Sequence, residues 1–145
     1  MTAARTALHD QLGAAVRDAQ HVVDTTAAIL PGATRADTTP GPYATVLLEA
    51  MGRRVATQKQ GTCRHLRRGP GVAWLLAWAT ERVRCAECAA VVIRRSVGTP
   101  EDQTCDVCRR PARLLHTVLG AAGPVVLVFG ACGPCFELET AGVEQ

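Results

Sequence analysis

Four pairs of potential metal ligands are spread over the second half of the chain. The first pair is Cys-x-His and the others are Cys-x-x-Cys; the pairs are Cys63 with His65, Cys85 with Cys88, Cys105 with Cys108, and Cys132 with Cys135. Two residues between cysteines let one tight turn present both sulfurs to a single ion, which is why structural zinc often has this spacing. The eight ligands therefore predict two tetrahedral zinc sites per chain, in small units that fold around metal.

Cysteine usage and hydropathy also restrict the compartment. The chain has seven cysteines, and an odd count leaves at least one thiol outside any disulfide framework. It has no apolar run of about eighteen residues, as a membrane helix would need, and its N-terminus lacks the apolar core of a signal peptide. We expect a cytoplasmic protein without a membrane partner, whose thiols bind metal.

The order of the pairs favours two consecutive sites. In this grouping site one comprises Cys63, His65, Cys85 and Cys88, and site two comprises Cys105, Cys108, Cys132 and Cys135. Each site then contains a gap long enough for a β-hairpin that returns the second pair to the first. Two alternatives stay open: a cross-braced grouping of the first pair with the third, and His116 in place of His65 as the eighth ligand.

The region from Cys105 onward resembles a treble-clef or zinc-ribbon finger, since its order is ligand pair, hairpin, ligand pair and short terminal helix. This resemblance implies a structural metal. A cross-braced grouping would instead resemble the ring-type fingers of ubiquitin ligases. Those fingers place the Cys-x-His step inside the ligand series, whereas here it opens the series, so ligase activity is not expected.

The last cysteine pair carries a second resemblance. Residues 125–129, which are all apolar, and the following Cys132-Gly133-Pro134-Cys135 are similar to the strand and redox loop of thioredoxin-like proteins. The resemblance implies that Cys132 attacks disulfides as a thiolate. Ala131 stands where that family has tryptophan, and only ten residues follow Cys135. A zinc-binding turn is therefore favoured over thiol redox chemistry.

Apolar periodicity predicts an α+β fold with a helical N-terminal arm. Residues 4–30 place apolar or small side chains at steps of three and four, which predicts an amphipathic helix. The Pro and Gly residues between 31 and 42 indicate a linker, and a second helix is predicted from 43 to 59. Residues 1–60 would form the arm, and residues 61–145 a double zinc-finger domain with site one over 63–88 and site two over 105–135.

Within that domain, short apolar runs predict strands. They are bounded by Gly, Pro or cysteine pairs, as is typical of strands, and they cover residues 72–79, 89–93, 112–119 and 125–129. A short helix is predicted for residues 136–141. The fold expected is thus a helical arm followed by two tandem zinc-ribbon or treble-clef-like fingers with short β-hairpins.

Two closed sites without an accompanying catalytic motif indicate that the chain is not an enzyme. Arginines stand beside the ligand pairs, at Arg53, Arg54, Arg64, Arg67, Arg68, Arg82, Arg84, Arg94, Arg95, Arg109, Arg110 and Arg113. Guanidinium groups contact phosphates, so nucleic-acid binding is the first functional hypothesis. The alternative is a protein interaction or assembly module that uses the N-terminal helices and the strand with Trp74 and Trp78, with a homodimer through the first helix as one form.

Overall fold

The structure, a computed structural model, describes residues 3–30, 32–35 and 40–141. Within these residues the helices are α1 (Ala3–Ile29), α2 (Pro42–Ala56), α3 (Ala86–Ser96) and α4 (Gly133–Thr140). The strands are β1 (Ala33–Arg35), β2 (Gly61–Thr62), β3 (Ala73–Leu76), β4 (Arg82–Val83), β5 (His116–Ala122) and β6 (Val125–Ala131). Short 3-10 helices cover Arg64–Arg68 and Pro100–Gln103. The α+β class expected from the sequence is therefore confirmed.

A four-stranded sheet in the order β1-β5-β6-β3 forms the centre of the fold. β5 and β6 are an antiparallel hairpin, while β1 pairs with β5 and β3 pairs with β6 in parallel. Gly123 closes the hairpin with a φ of 57°, a backbone conformation that glycine adopts without steric cost. The sheet thus joins strands from the N-terminal segment and from the segments of both predicted sites.

Both faces of this sheet are covered by helices. Alternate residues of a strand point to opposite faces, so Val126 and Val128 pack with Ala19 and Val23 of α1 on one face. On the other face Leu127 and Phe129 of β6 pack with Leu47 of α2, and with residues that flank site two. Because both faces are buried, β6 is apolar almost throughout instead of alternating with polar residues.

The long helix α1 confirms the predicted amphipathic helix. Small residues at Ala15 and Ala19 let it approach the sheet closely, and both are buried. Its first turns extend past this contact, so Leu8 and Leu12 on the same stripe are exposed. None of the helices in the described residues is both long and apolar enough to cross a bilayer.

The predicted strand 112–119 is shifted, since β5 begins at His116, and the structure differs in element type at two further places. Residues 89–93, predicted as a strand, lie within helix α3 instead. One side of α3 packs against the rest of the protein. This side contains the buried Ala89 and the half-buried Val92, Ile93 and Ser96, which recur at helical spacing. Ala33–Arg35, inside the predicted linker, forms β1, because the edge of β5 supplies hydrogen-bond partners that are distant in sequence.

Candidate metal centres

Site one is assembled from the end of β2, the following 3-10 helix and the first turn of α3. Cys63 follows β2, His65 lies in the 3-10 helix, Cys85 is the N-cap of α3, and Cys88 lies one turn later. The possible ligand atoms of the four residues all lie within 4.8 Å of one another. Nδ1 of His65 is 3.6 Å from Sγ of Cys85 and 3.3 Å from Sγ of Cys88. The cluster could hold one metal ion.

Site two is assembled from a tight turn, the β5-β6 hairpin and the first turn of α4. Cys105 and Cys108 lie on the turn, which is closed by a hydrogen bond from the backbone N-H of Arg109 to the carbonyl of Cys105 (2.9 Å). Cys132 is the N-cap of α4, and Cys135 is in the first turn of that helix. The four sulfurs lie within 4.8 Å of one another, with Sγ of Cys108 and Cys132 3.8 Å apart. This cluster could also hold one metal ion.

The two sites share one construction. In site one the backbone N-H of Cys85 donates to Sγ of Cys63 (3.2 Å), and in site two the backbone N-H of Cys132 donates to Sγ of Cys105 (3.3 Å). In each case the donor is the N-cap residue of a helix and the acceptor is the first cysteine of the other ligand pair. Such N-H donors stabilise a thiolate because their positive ends point to its charge.

The thiol pKa values reflect these hydrogen bonds. Burial alone would raise the pKa of Cys63, but N-H groups of Cys85, Leu66 and His65 outweigh burial and lower it to about 6. In the same way burial of Cys105 is outweighed by N-H groups of Cys108, Cys132 and Val107, and its pKa falls to about 7. Each site therefore offers one cysteine that is readily ionised, and a thiolate is the form that binds metal.

A second cysteine of each site has the opposite shift. The pKa of Cys88 rises to about 11, mainly because its thiol donates a hydrogen bond to Cys85. The pKa of Cys135 rises to about 12, first through burial and then through its hydrogen bonds to the other cysteines of site two. Several thiolates confined to one small site repel one another, and a bound cation would offset this repulsion.

The structure brings together the ligand pairs in the sequential grouping. Each cluster among the described residues contains two consecutive ligand pairs, and no cross-braced cluster is found there. His116 lies on β5 and stacks on Phe136 with ring centroids 4.6 Å apart, so it belongs to neither cluster. His9 and His21 are exposed on α1. Of the four histidines, only His65 lies among cysteines.

Two contacts that were missed by sequence reasoning hold site two in place. Asp106 lies between the first two cysteines of the site; its backbone N-H donates to the carbonyl of Gly130 (2.8 Å) and its carboxylate accepts from the N-H of Gly130 (2.7 Å). These bonds attach the turn to β6. Asp106 is buried, and burial raises the pKa of its carboxyl group. A lone acidic residue between cysteines gives no sequence signal of such a contact.

The other contact joins site two to the N-terminal helices. Glu139, on α4 and one turn after Cys135, accepts hydrogen bonds from the backbone N-H groups of Tyr43 (2.6 Å) and Ala44 (3.5 Å). These N-H groups belong to the first turn of α2, where a helix has no internal partners for them. A Cβ on Gly41 would lie 2.8 Å from the carbonyl oxygen of Glu139, so this approach requires glycine.

The charge around the two sites differs. Residues 61–95 carry seven arginines and two glutamates, whereas residues 96–141 carry three arginines and five acidic residues. Arg84 is buried and bound to Glu81 at 2.7 Å. The other arginines of the first segment are exposed and, within the described residues, form no ion pair; they are Arg64, Arg67, Arg68, Arg82, Arg94 and Arg95. The excess positive charge therefore lies in the segment of site one.

The observed architecture is thus a mixed α+β fold with two Cys/His clusters, each formed by one turn and one helix N-terminus. The spacing, the grouping and the donor atoms agree with a metal at both places. Comparison with protein-family models, with curated proteins and with solved structures found no match to this chain.

Proposed function

We propose that the chain binds two structural zinc ions and uses the folded zinc sites to present arginines to nucleic acid. The observation that carries the metal assignment is the pair of four-ligand clusters with donor atoms within 4.8 Å. Three cysteines with one histidine, and four cysteines, are soft donor sets that suit zinc. When bound, the metal would supply a cross-link between a turn and a helix, which holds together segments too small to form a large core.

Donor distances support an ion of the size of zinc. Zinc-sulfur bonds of about 2.3 Å imply a sulfur-sulfur edge of about 3.8 Å in a tetrahedron, and a nitrogen-sulfur edge of about 3.6 Å. Site two has 3.8 Å between Cys108 and Cys132, and site one has 3.6 and 3.3 Å between His65 and two cysteines. The element order supports a treble-clef-like finger at site two, where a turn, the antiparallel β5-β6 hairpin and the helix α4 follow one another. In site one a single antiparallel bridge between Trp74 and Arg84 lies between the turn and α3.

The nucleic-acid part of the proposal rests on the charge of site one. Arg64, Arg67 and Arg68 lie on the 3-10 helix that contains His65, while Arg94 and Arg95 lie on the helix that begins at Cys85. Exposed guanidinium groups without carboxylate partners are free to contact phosphates and to release counterions. Both tryptophans are half-buried against the core, so few aromatic rings are available for base stacking. This favours contacts to the nucleic-acid phosphate backbone over recognition of single-stranded bases.

The proposal is non-catalytic. Each cluster has four donors, so a tetrahedral ion bound there would keep no open position for water or substrate. Redox chemistry at Cys132 and Cys135 is the less favoured alternative, because Cys105 and Cys108 complete a metal-binding set around them. A disulfide between two members of that set would remove two thiolates from it.

The metal is tested by native mass spectrometry and elemental analysis on protein purified without added metal. We expect about two zinc ions per chain, with all thiols unreactive towards a maleimide until a chelator is added. Folded, metal-free protein with a disulfide between Cys132 and Cys135 would contradict the proposal.

Nucleic-acid binding is tested with short duplexes of DNA and RNA, measured by fluorescence anisotropy from about 50 to 200 mM salt. The double variant R67A/R68A should weaken binding and reduce the slope of log K against log salt by about 2, one for each lost phosphate contact. The matched variant R110A/R113A removes the same charge beside site two and should have a much smaller effect. Absence of binding at low salt, or equal effects of both variants, would rule out a site-one interface.

A protein assembly module remains the second candidate, and one observation favours it. The first turns of α1 project beyond the sheet with Leu8 and Leu12 exposed. Packing of an apolar face supplies most of the stability of a helix in a protein, and at Leu8 and Leu12 this face of α1 is exposed. Analytical ultracentrifugation of wild type and L8E/L12E distinguishes the cases, because a dimer through α1 would become monomeric in the variant.

A further inference from the structure

A cleft of about 450 Å³ opens between the end of α1, the end of α3 and the sheet. This volume lies within the range of small-molecule pockets, about 300 to 1,000 Å³. None of the eight clustered ligands lines it, although it borders site two through Asp106, which lies between Cys105 and Cys108. The cleft also lies apart from the 3-10 helix that carries Arg64, Arg67 and Arg68.

The walls and the mouth of the cleft are apolar. Trp74, Trp78 and Ile93 lie in the walls together with residues of β5 and β6. At its mouth lie Leu30, Val97 and Leu114, which are 43%, 69% and 69% exposed. Leu30 follows α1, Val97 follows α3, and Leu114 lies in the loop before β5. Three exposed aliphatic side chains around one opening are costly in water, and a bound apolar molecule would remove them from it.

The polar groups of the cleft are mainly acidic. Glu101, Asp102 and Asp106 line it, and Arg113 is the basic residue among the described lining residues. The carboxylate of Asp106 is 7% exposed; Oδ2 accepts from Gly130, while Oδ1 has only the Nη1 atom of Arg109 at 3.9 Å. That distance is too long for a hydrogen bond, so within the described residues Oδ1 retains acceptor capacity.

We propose that this cleft binds a small apolar organic cation, with an ammonium or guanidinium group near Asp106 and an apolar body against the tryptophan wall. A buried carboxylate gains most from a charged donor, since it has lost much of its hydration. This inference does not depend on the proposed metal or on nucleic-acid binding.

The protein offers a selective readout for this cleft. Its two tryptophans both line the cleft, so tryptophan fluorescence excited at about 295 nm reports on it alone. The probes are 4-phenylbutylamine, 4-phenylbutanol and 4-phenylbutanoate, which have similar bodies and differ in charge. We expect the amine to bind about tenfold tighter than the alcohol, and the acid to bind most weakly.

Two variants test where the charge acts. Val97→Lys places a cation at the mouth and should weaken the amine severalfold while leaving the alcohol within about twofold. Val91→Lys, on an exposed position of α3 outside the cleft, is the matched control and should change neither affinity. Asp106→Asn should bring the affinities of amine and alcohol together; the Val97 variant carries the test if the Asp106 variant does not fold.

Equal binding of all three probes, or no binding by any of them at millimolar concentration, would overturn the proposal. Unchanged preference for the amine in Val97→Lys would also overturn it, because the cation would then be bound elsewhere.

Discussion

Sites one and two have the same local construction but different surroundings. Both place a cysteine at a helix N-cap, from which a backbone N-H donates to the first cysteine of the other pair. Site two, however, is attached to β6 through Asp106 and to α2 through Glu139. The segment of site one carries six exposed arginines, against three in the segment of site two, and its helix α3 contacts β3 and the 3-10 helix Pro100–Gln103. The difference indicates that one local design serves as a structural centre in site two and as a surface in site one.

Removal of one ligand from each site should give the largest effects. Metal binding contributes about 10 to 16 kcal/mol in small zinc units, which exceeds the net stability of many domains. Cys135→Ser should therefore unfold the β5-β6 hairpin, α4 and the docked α2 together. Cys88→Ser should lose one metal ion but keep the central sheet.

Native mass spectrometry and amide hydrogen exchange of β5 and β6 check this prediction. Equal loss of protection in both variants would show that the two sites support the fold to the same extent. It would contradict the prediction that the central sheet depends mainly on site two.

Two histidine variants test which histidine is a metal ligand of site one. His65→Ala should release one metal ion per chain, because it removes a donor that lies 3.3 Å from Sγ of Cys88. His116→Ala should keep both ions and lose only its ring contact with Phe136, which contributes about 0.5 to 1.5 kcal/mol. Elemental analysis of the two variants side by side decides between them; loss of metal in the His116 variant would reverse the assignment.

The link between site two and α2 predicts a smaller effect. Glu139→Gln keeps the side-chain length but removes the charge at the N-terminus of α2, and it should cost about 1 kcal/mol in the free energy of unfolding. Glu137→Gln, at an exposed position of the same helix, should be neutral. Chemical denaturation measures both. A similar cost at the two positions would mean that the cap of α2 contributes nothing specific.

The smallest effect concerns Tyr43, which packs on Phe129 with ring centroids 5.2 Å apart. Burial, followed by the charge of Asp106, raises the pKa of Tyr43 to about 12 from the ordinary value of 10.0. Since the folded pKa is the higher one, the stability from neutral Tyr43 is fully present below pH 10 and is lost as the pH rises towards 12.

Tyr43 is the single tyrosine, so tyrosinate absorbance reports on it alone. The pKa should fall towards 10.0 in Cys135→Ser, which releases α2, and should stay high in Cys88→Ser. A pKa that falls equally in both variants would show that α2 depends on site one as well.

Local patterns predicted the helices of the arm, the run that became β6, and the eight clustered residues. Cysteine spacing is a local signal with a direct geometric meaning, so it predicted the ligand pairs, whereas the structure was needed to group them sequentially and not in a cross-brace. The helix α3 was predicted as a strand because residues 89–93 contain Val and Ile, which favour strands in isolation. Glu87 in the first turn and Arg94 and Arg95 in the last turn were the available signals for a helix.

Non-local contacts were not predictable in this way. β1 is three residues long and has no apolar pattern, and it becomes a strand only because β5 offers an edge. The parallel pairing of β3 with β6 likewise joins the two site segments through residues far apart in the sequence. Asp106 and Glu139 accept hydrogen bonds from backbone N-H groups of other elements. Because every residue type except proline has such a group, the sequence does not indicate which residue will be the partner.

The strand order β1-β5-β6-β3 also has a consequence for biosynthesis. The ligands of site one are complete once Cys88 has been translated, so this site can acquire metal on the nascent chain. α1, β1 and β3, in contrast, have no sheet to pair with until β5 and β6 have been translated. Under the proposed metal binding, loading is therefore expected to proceed from site one to site two, and the apolar face of α1 stays uncovered until β5 and β6 are in place.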